Sequence, residues 1–265
     1  MIKKGDIVTR KKYGNDLNFV VKSIDDDGTV HLFCISHRLF ADAPMDDLKK
    51  TAKENFFVFK RLFRSDAQKK LDNILKKRKE KISGVFYPGR VLHIDSDEGF
   101  LNMCMSYYSA LGVPAAGRLI VEDSQPLAIT EVLKESCPDI LILTGHDSLK
   151  SNSDENDLGN YSSSGFFADA VKKARQFQSG RDSLIIFAGA CQSNFEAIMS
   201  SGANFASSPE RKLIHALDPV FIGERLSYTP VFDIVTPESA LENTMTSFDG
   251  LGGFETRGTL RGGSP

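Results

Sequence analysis

The sequence predicts an α/β protein built on a mostly parallel sheet with helices on both faces, preceded by a small β module and a basic helical linker. Three observations predict it. Short alternating runs separated by turn residues occupy positions 1–48. A stretch without glycine or proline, 49–83, carries thirteen Lys and Arg against four Asp and Glu in its first 33 residues, formally +9. From Gly84 onward, continuous apolar runs alternate with helical patterns, as parallel strands covered on both faces do.

In the first segment, residues 6–9, 17–21 and 29–33 alternate apolar with polar, and Tyr13-Gly14-Asn15 and Asp26-Asp27-Gly28 are turn signals between them. A barrel or curled sheet of SH3-like size follows. In the linker, Phe59, Leu62, Phe63, Leu71, Ile74 and Leu75 recur at helical spacing, which predicts an exposed basic helix with one apolar stripe. Its charge suits either a solvated face or a docking arm for an acidic partner. Beyond Gly84 the pattern reads strand 90–94, helix 98–111, an extended piece opening at 112–114, helix 126–136, strand 139–144, helix 166–177 and strand 183–188. Residues 84–265 then form one α/β domain.

Composition narrows the function classes. A net charge of -2 and a pI near 6.2 give no global reason for nucleic-acid binding. The start, MIKKGDIVTRKKYGND, has no apolar signal region, and no stretch approaches the roughly 18 apolar residues of a membrane span. A protein made and used inside a cell is expected. Cys34, Cys104, Cys137 and Cys191 form no CxxC pair and no His/Cys cluster at metal spacing, so free thiols and no metal or other cofactor are expected.

Two predicted strands end in reactive residues. Strand 139–144 runs into Gly145-His146-Asp147, and strand 183–188 into Gly189-Ala190-Cys191. A buried cysteine is ordinarily a small hydrophobe, but the carboxyl ends of strands in open α/β sheets are where ligands and chemistry gather. Parallel neighbours would bring His146 and Cys191 to one edge, roughly one 5 Å strand spacing apart. An imidazole there can take the thiol proton and later protonate a leaving amine. The backbone N–H groups of Asp147 and Cys191 are the candidate oxyanion hole, and a helix starting near Gln192 would favour a thiolate through its dipole. His215 is the rival base; His93 lies inside a strand and Cys104 on a helix face.

Chain order separates two thiol chemistries. A glutamine amidotransferase-like hydrolase would carry its cysteine on a G-x-C-x-G elbow with the histidine downstream. Here His146 comes first and Cys191 follows, as in the caspase-type arrangement of a histidine after one strand and Ala-Cys after the next. A caspase-like sheet is therefore expected, although Gly145 and Asp147 around the histidine depart from that pattern.

The stretches 89–95, 138–147, 187–193, 202–209, 214–220 and 250–258, with Gly5-Asp6-Ile7-Val8 and Ala41-Asp42-Ala43-Pro44, resemble the YabG sporulation protease family of spore-forming Firmicutes. The resemblance covers nearly the whole chain and is least specific over 49–83. It implies a cysteine peptidase, with Cys191 at the matching nucleophile position. It further implies that the enzyme works in the mother-cell cytoplasm, trims spore coat and other spore precursor proteins, and associates with the forming spore. The alternative from another class is a non-catalytic coat assembly protein in which the β module and basic linker bind coat proteins and the cysteine is structural or cross-linking.

Asp95, Asp97 and Glu98 follow strand 90–94 on the same carboxyl edge, where they form either a solvated turn or the lining of a specificity pocket. If they line the pocket beside the nucleophile, the enzyme cuts after arginine, which pairs with a carboxylate through two N–H groups as lysine cannot. Arg61, Arg64 and Arg78 in the linker would then be targets for self-cleavage.

Overall fold

The computed structural model describes residues 2–81, 85–150 and 153–263. The expected boundary at 83/84 and the side chains of Phe59, Leu62 and Phe63 lie outside the described residues. Chain order begins with β1 (Ile7–Arg10), β2 (Phe19–Ile24), β3 (Thr29–Cys34), β4 (Phe40–Pro44) and β5 (Leu48–Lys50). These five strands pair antiparallel in the order β4-β3-β2-β1-β5. Alternation in β3 puts Val30, Leu32 and Cys34 inward, where they meet Val8, Phe19, Val21, Ala43 and Leu48 in a small core. β5 extends the module through Lys50, past the expected end at 48.

Within the linker, Lys53–Lys81 form one helix, α1, but it is not simply an exposed arm. Ala67, Leu71 and Ile74 are buried against the main domain. Near its end, Arg78 stacks on Tyr228 and pairs with Glu224, so that arginine is not an accessible cleavage target. Arg61 and Arg64 remain exposed.

β6 (Val85–Tyr87) follows, then β7 (Val91–Asp95), α2 (Glu98–Leu111), β8 (Ala115–Leu119), α3 (Gln125–Ser136), β9 (Ile140–Leu143), α4 (Ser164–Phe177) and β10 (Ile185–Ala188). The chain continues through α5 (Phe195–Ser200), β11 (Phe205–Ser207), α6 (Asp218–Tyr228), β12 (Ile234–Val235), α7 (Pro237–Leu241), β13 (Leu251–Gly253), β14 (Thr256–Arg257) and β15 (Arg261–Gly263). The central sheet runs β13-β11-β10-β9-β7-β8. Its pairs are parallel except β11 with β13, so the expected mostly parallel sheet is present with one antiparallel edge.

Period-two alternation splits the sheet's side chains between two cores. Val91, Ile140, Ile142, Ile185, Phe187 and Phe205 face α1, α2, α6 and α7. Leu92, Ile94, Leu141, Leu143, Ile186 and Ala188 face α3, α4 and α5. Helices therefore cover both faces, and the carboxyl ends of the parallel strands lie together along one edge. Strand order reverses between β7 and β9, the position at which such sheets form a crevice.

The β module closes over this edge. Its β3–β4 tip forms an antiparallel bridge, His37 with His215, and a parallel one, Leu39 with Asp147. Among the described residues no helix is long and apolar enough to cross a membrane.

Candidate active site

Register fixes the frame of the site. Ala188 of β10 pairs with Leu143 of β9, and Ile94 of β7 pairs with the same Leu143, so Asp95, His146 and Cys191 all follow neighbouring strand ends. Two glycines allow the backbone to turn there. A Cβ on Gly189, whose φ is +113°, would lie 2.3 Å from Ser207 Oγ, and one on Gly145 would lie 2.5 Å from Glu122 Oε1.

The loops are tied together by the Asp147 side chain, in addition to the amide expected in the oxyanion hole. Asp147 accepts hydrogen bonds from Ser193 Oγ (2.9 Å), Ser163 N (2.8 Å), Ser164 Oγ and Ser148 N. Ser193 Oγ also accepts from Ala190 N at 2.9 Å, linking the histidine loop to the cysteine loop. Burial raises the Asp147 carboxyl above its usual range, and these donors act against that.

His146 is almost fully buried between aromatic rings. It stacks at 4.0 Å on Phe40 and meets Phe33 edge-on at 4.7 Å, both from the β module, with Phe100 of α2 beyond at 5.8 Å. Glu122 accepts from the His146 amide at 2.7 Å and lies 3.8 Å from Nδ1. Burial would raise the Glu122 carboxyl, but bonds from His146 and Ser96 prevail and hold it below its usual range. Nε2 of His146 is buried and has no hydrogen-bond partner. Glu122 was missed from sequence, yet it follows β8 as His146 follows β9, and the same strand-end reasoning finds it.

Cys191 is fully buried. Its Sγ accepts from Ile214 N at 3.3 Å and shares no hydrogen bond with His146. Burial pushes the thiol up to about 12, with backbone hydrogen bonding from Ile214 and Arg38 working the other way. The expected helix near Gln192 begins only at Phe195 and has six residues, capped by Asn194, so no helix dipole reaches the thiol.

The three carboxylates expected beside the nucleophile part company. Asp97 caps α2, accepting from Phe100 N at 2.9 Å, and Glu98 is exposed in that helix's first turn. Asp95 is fully buried and ion-paired to Arg38, which reaches it from the β3–β4 tip. Burial pushes the Asp95 carboxyl up, but Arg38, His93 and the Asp97 amide prevail and hold it well below the usual carboxylate range. Arg38 also donates to Ala216 O at 3.2 Å and to Cys104 Sγ at 3.4 Å, and Phe100 lies 5.0 Å beneath its guanidinium.

The rival base His215 is buried, with a pKa lowered to about 3, chiefly by burial and then by His37 and Arg38. Its Nδ1 accepts from Leu217 N at 3.2 Å. His93 is held by Thr144 and Tyr108 inside β7. Among the described residues no group of three or more His, Cys, Asp or Glu is placed to hold a metal ion.

His37 is also lowered, to about 4, by burial with a small opposing contribution from Asp16. Its folded pKa lies below the unfolded value of 6.5, so its contribution is complete above pH 6.5 and is lost as pH falls toward 4. Going from pH 7 to 5 should cost about 1–2 kcal/mol through His37 alone. Chemical denaturation at both pH values should show that much less acid sensitivity in His37→Gln than in the wild type; equal slopes would contradict it.

The fold and the strand-end cluster define a class: an α/β protein whose candidate active site lies at the carboxyl edge of a largely parallel sheet. Comparison with known proteins makes this specific. The family model described as YabG peptidase U57 matches residues 3–265. The sporulation-specific protease YabG of Bacillus subtilis (strain 168) is 38% identical over 281 residues, covering 98% of this chain and 97% of that protein. The chain belongs to the YabG peptidase family. No solved structure matches it.

Proposed function

We propose that the chain is a sporulation-associated cysteine endopeptidase that cuts after arginine in spore coat and other spore precursor proteins. The observation that carries this is the shared edge: Asp95, His146 and Cys191 follow three neighbouring parallel strands. The histidine-first order and five parallel strands with one antiparallel edge favour a caspase-like arrangement over an amidotransferase elbow. The name of the Bacillus subtilis relative supports the sporulation setting, and the mother-cell compartment is part of the same proposal.

In the proposed reaction, His146 takes the Cys191 proton and the thiolate attacks the scissile carbonyl, with the amides of Asp147 and Cys191 stabilising the oxyanion. Imidazolium then protonates the leaving amine, and water hydrolyses the thioester. Glu122 beside Nδ1 orients the ring and offsets its charge as it protonates. Asp95 is the carboxylate that binds the arginine side chain of the substrate.

One observation favours the second reading, a non-catalytic coat assembly protein: the thiol is buried, un-ionised and not bonded to His146. A fluorogenic peptide library varied at the residue before the scissile bond separates the two. Arginine is expected to exceed lysine by at least tenfold and every other residue by far more. A preference for aspartate or an apolar residue contradicts the assigned pocket, and no hydrolysis of any member favours the assembly protein. Coat extracts treated with the enzyme should gain new termini after arginine.

A further inference from the structure

We propose that the β3–β4 tip, residues 36–39, is the enzyme's own first substrate: it lies in the cleft as a substrate strand would, and the bond cut is Arg38–Leu39. This rests on the peptidase reading above.

The path of the tip gives each residue a place. Ser36 O accepts from Ala216 N at 3.1 Å, and His37 bridges antiparallel to His215, so the residues before Arg38 pair as an added strand with the chain at 214–216. That same chain holds the thiol, through Ile214 N to Cys191 Sγ at 3.3 Å. Arg38 is fully buried with its guanidinium on Asp95. Leu39 bridges to Asp147, and Phe40 stacks on His146 at 4.0 Å. The residues before the proposed cut thus lie on the thiol side, and those after it on the imidazole side. That is the order a peptidase needs, with the nucleophile at the carbonyl and the acid at the leaving amine. The unpartnered Nε2 of His146 fits the same arrangement.

A surface module gains little from burying an arginine this way, since a buried charge is costly unless fully paired. A pocket shaped for an arginyl side chain accounts for it. While the tip is seated, no other arginine can reach Asp95. The chemistry balances as an ordinary thiol acyl transfer. The Cys191 sulfur forms a bond to the Arg38 carbonyl carbon, the Arg38–Leu39 C–N bond breaks, and the thiol proton passes through His146 to the Leu39 amine. Water then adds to the thioester, returning the sulfur as a thiol and leaving an Arg38 carboxylate. The nicked ends can withdraw from the cleft, which opens it to other chains.

The test follows purified full-length protein over time by intact mass and N-terminal sequencing, beside hydrolysis of an arginyl fluorogenic peptide. Fragments 1–38 and 39–265 should accumulate with a rate constant unchanged over a hundredfold range of protein concentration. Peptide hydrolysis should show a lag matching their appearance. Cys191→Ala should give no Leu39 terminus, and Arg38→Lys, which keeps a cation on Asp95, should form it at least tenfold more slowly. Immediate full peptide hydrolysis with no Leu39 terminus overturns the inference and leaves the peptidase reading standing. A cleavage rate that rises with concentration also overturns it. If neither the wild type nor Arg38→Gln cuts the arginyl peptide, the peptidase reading falls and the inference with it.

Discussion

Cys191→Ala should abolish peptide-bond cleavage, by about 10⁴-fold or more, while the protein still folds. Alanine removes the sulfur that would carry the acyl group, and no other cysteine replaces it. Cys104 is fully buried beside Arg38 with its thiol pushed up to about 12, chiefly by burial, and Cys34 is likewise raised by burial. Exposed Cys137 ends α3, at the opposite end of β9 from the cleft. The mutation deletes little volume and one weak acceptor, so unfolding free energy should fall by only about 1 kcal/mol. His146→Ala should lower activity comparably, since burial leaves the Cys191 thiol un-ionised until a base takes its proton. His215, the rival, is held neutral by its surroundings and should matter less to the rate. Undiminished cleavage by Cys191→Ala would remove the thiol mechanism, and loss with His215→Ala but not His146→Ala would reassign the base.

The second large effect is on stability. Asp95→Asn leaves the Arg38 guanidinium buried without its counter-charge, which should cost about 3–5 kcal/mol. Denaturant unfolding in a Cys191→Ala background, where no chain is cut, reads this cleanly. Arg38→Gln added to Asp95→Asn should recover part of the loss, because the uncompensated charge is gone. An Asp95→Asn cost below about 1 kcal/mol would mean the pair is not held as described. Where enough protein folds, Asp95→Asn should also lose its preference for arginyl peptides.

Much of the main domain was legible in the sequence because its signals are local. Asp97, the apolar spacing through Tyr108 and Leu111, and Gly112 at φ +68° bound α2 at the residues expected. Asp97-Glu98 also carries a helix-start signal, an aspartate just before a glutamate and an apolar turn, and the structure shows Asp97 capping α2. Apolar runs gave β7, β9 and β10, and hence Cys191 and His146 at one edge. The β module's strands 4 and 5 were not visible, since Phe40–Pro44 is short and ends in proline. Nor was the module's place in the fold. Arg38 and Asp95 are 57 residues apart and each reads alone as a surface charge; only the closed tertiary structure buries them together. The buried side of α1 was underestimated for the same reason, because its charge dominates its composition while Ala67, Leu71 and Ile74 determine its packing.

In the proposed reaction Cys191 acts beside an arginine pocket, and an arginyl chloromethyl ketone reports on both at once. Iodoacetamide alone would be confounded by exposed Cys137, whereas the arginyl group directs the reagent to Asp95. After incubation with protein that has become active, peptide mapping by mass spectrometry should find one equivalent of adduct on Cys191, with activity lost in proportion. Protein inactivated with the adduct on Cys34, Cys104 or Cys137, or fully active with Cys191 unlabelled, would contradict it.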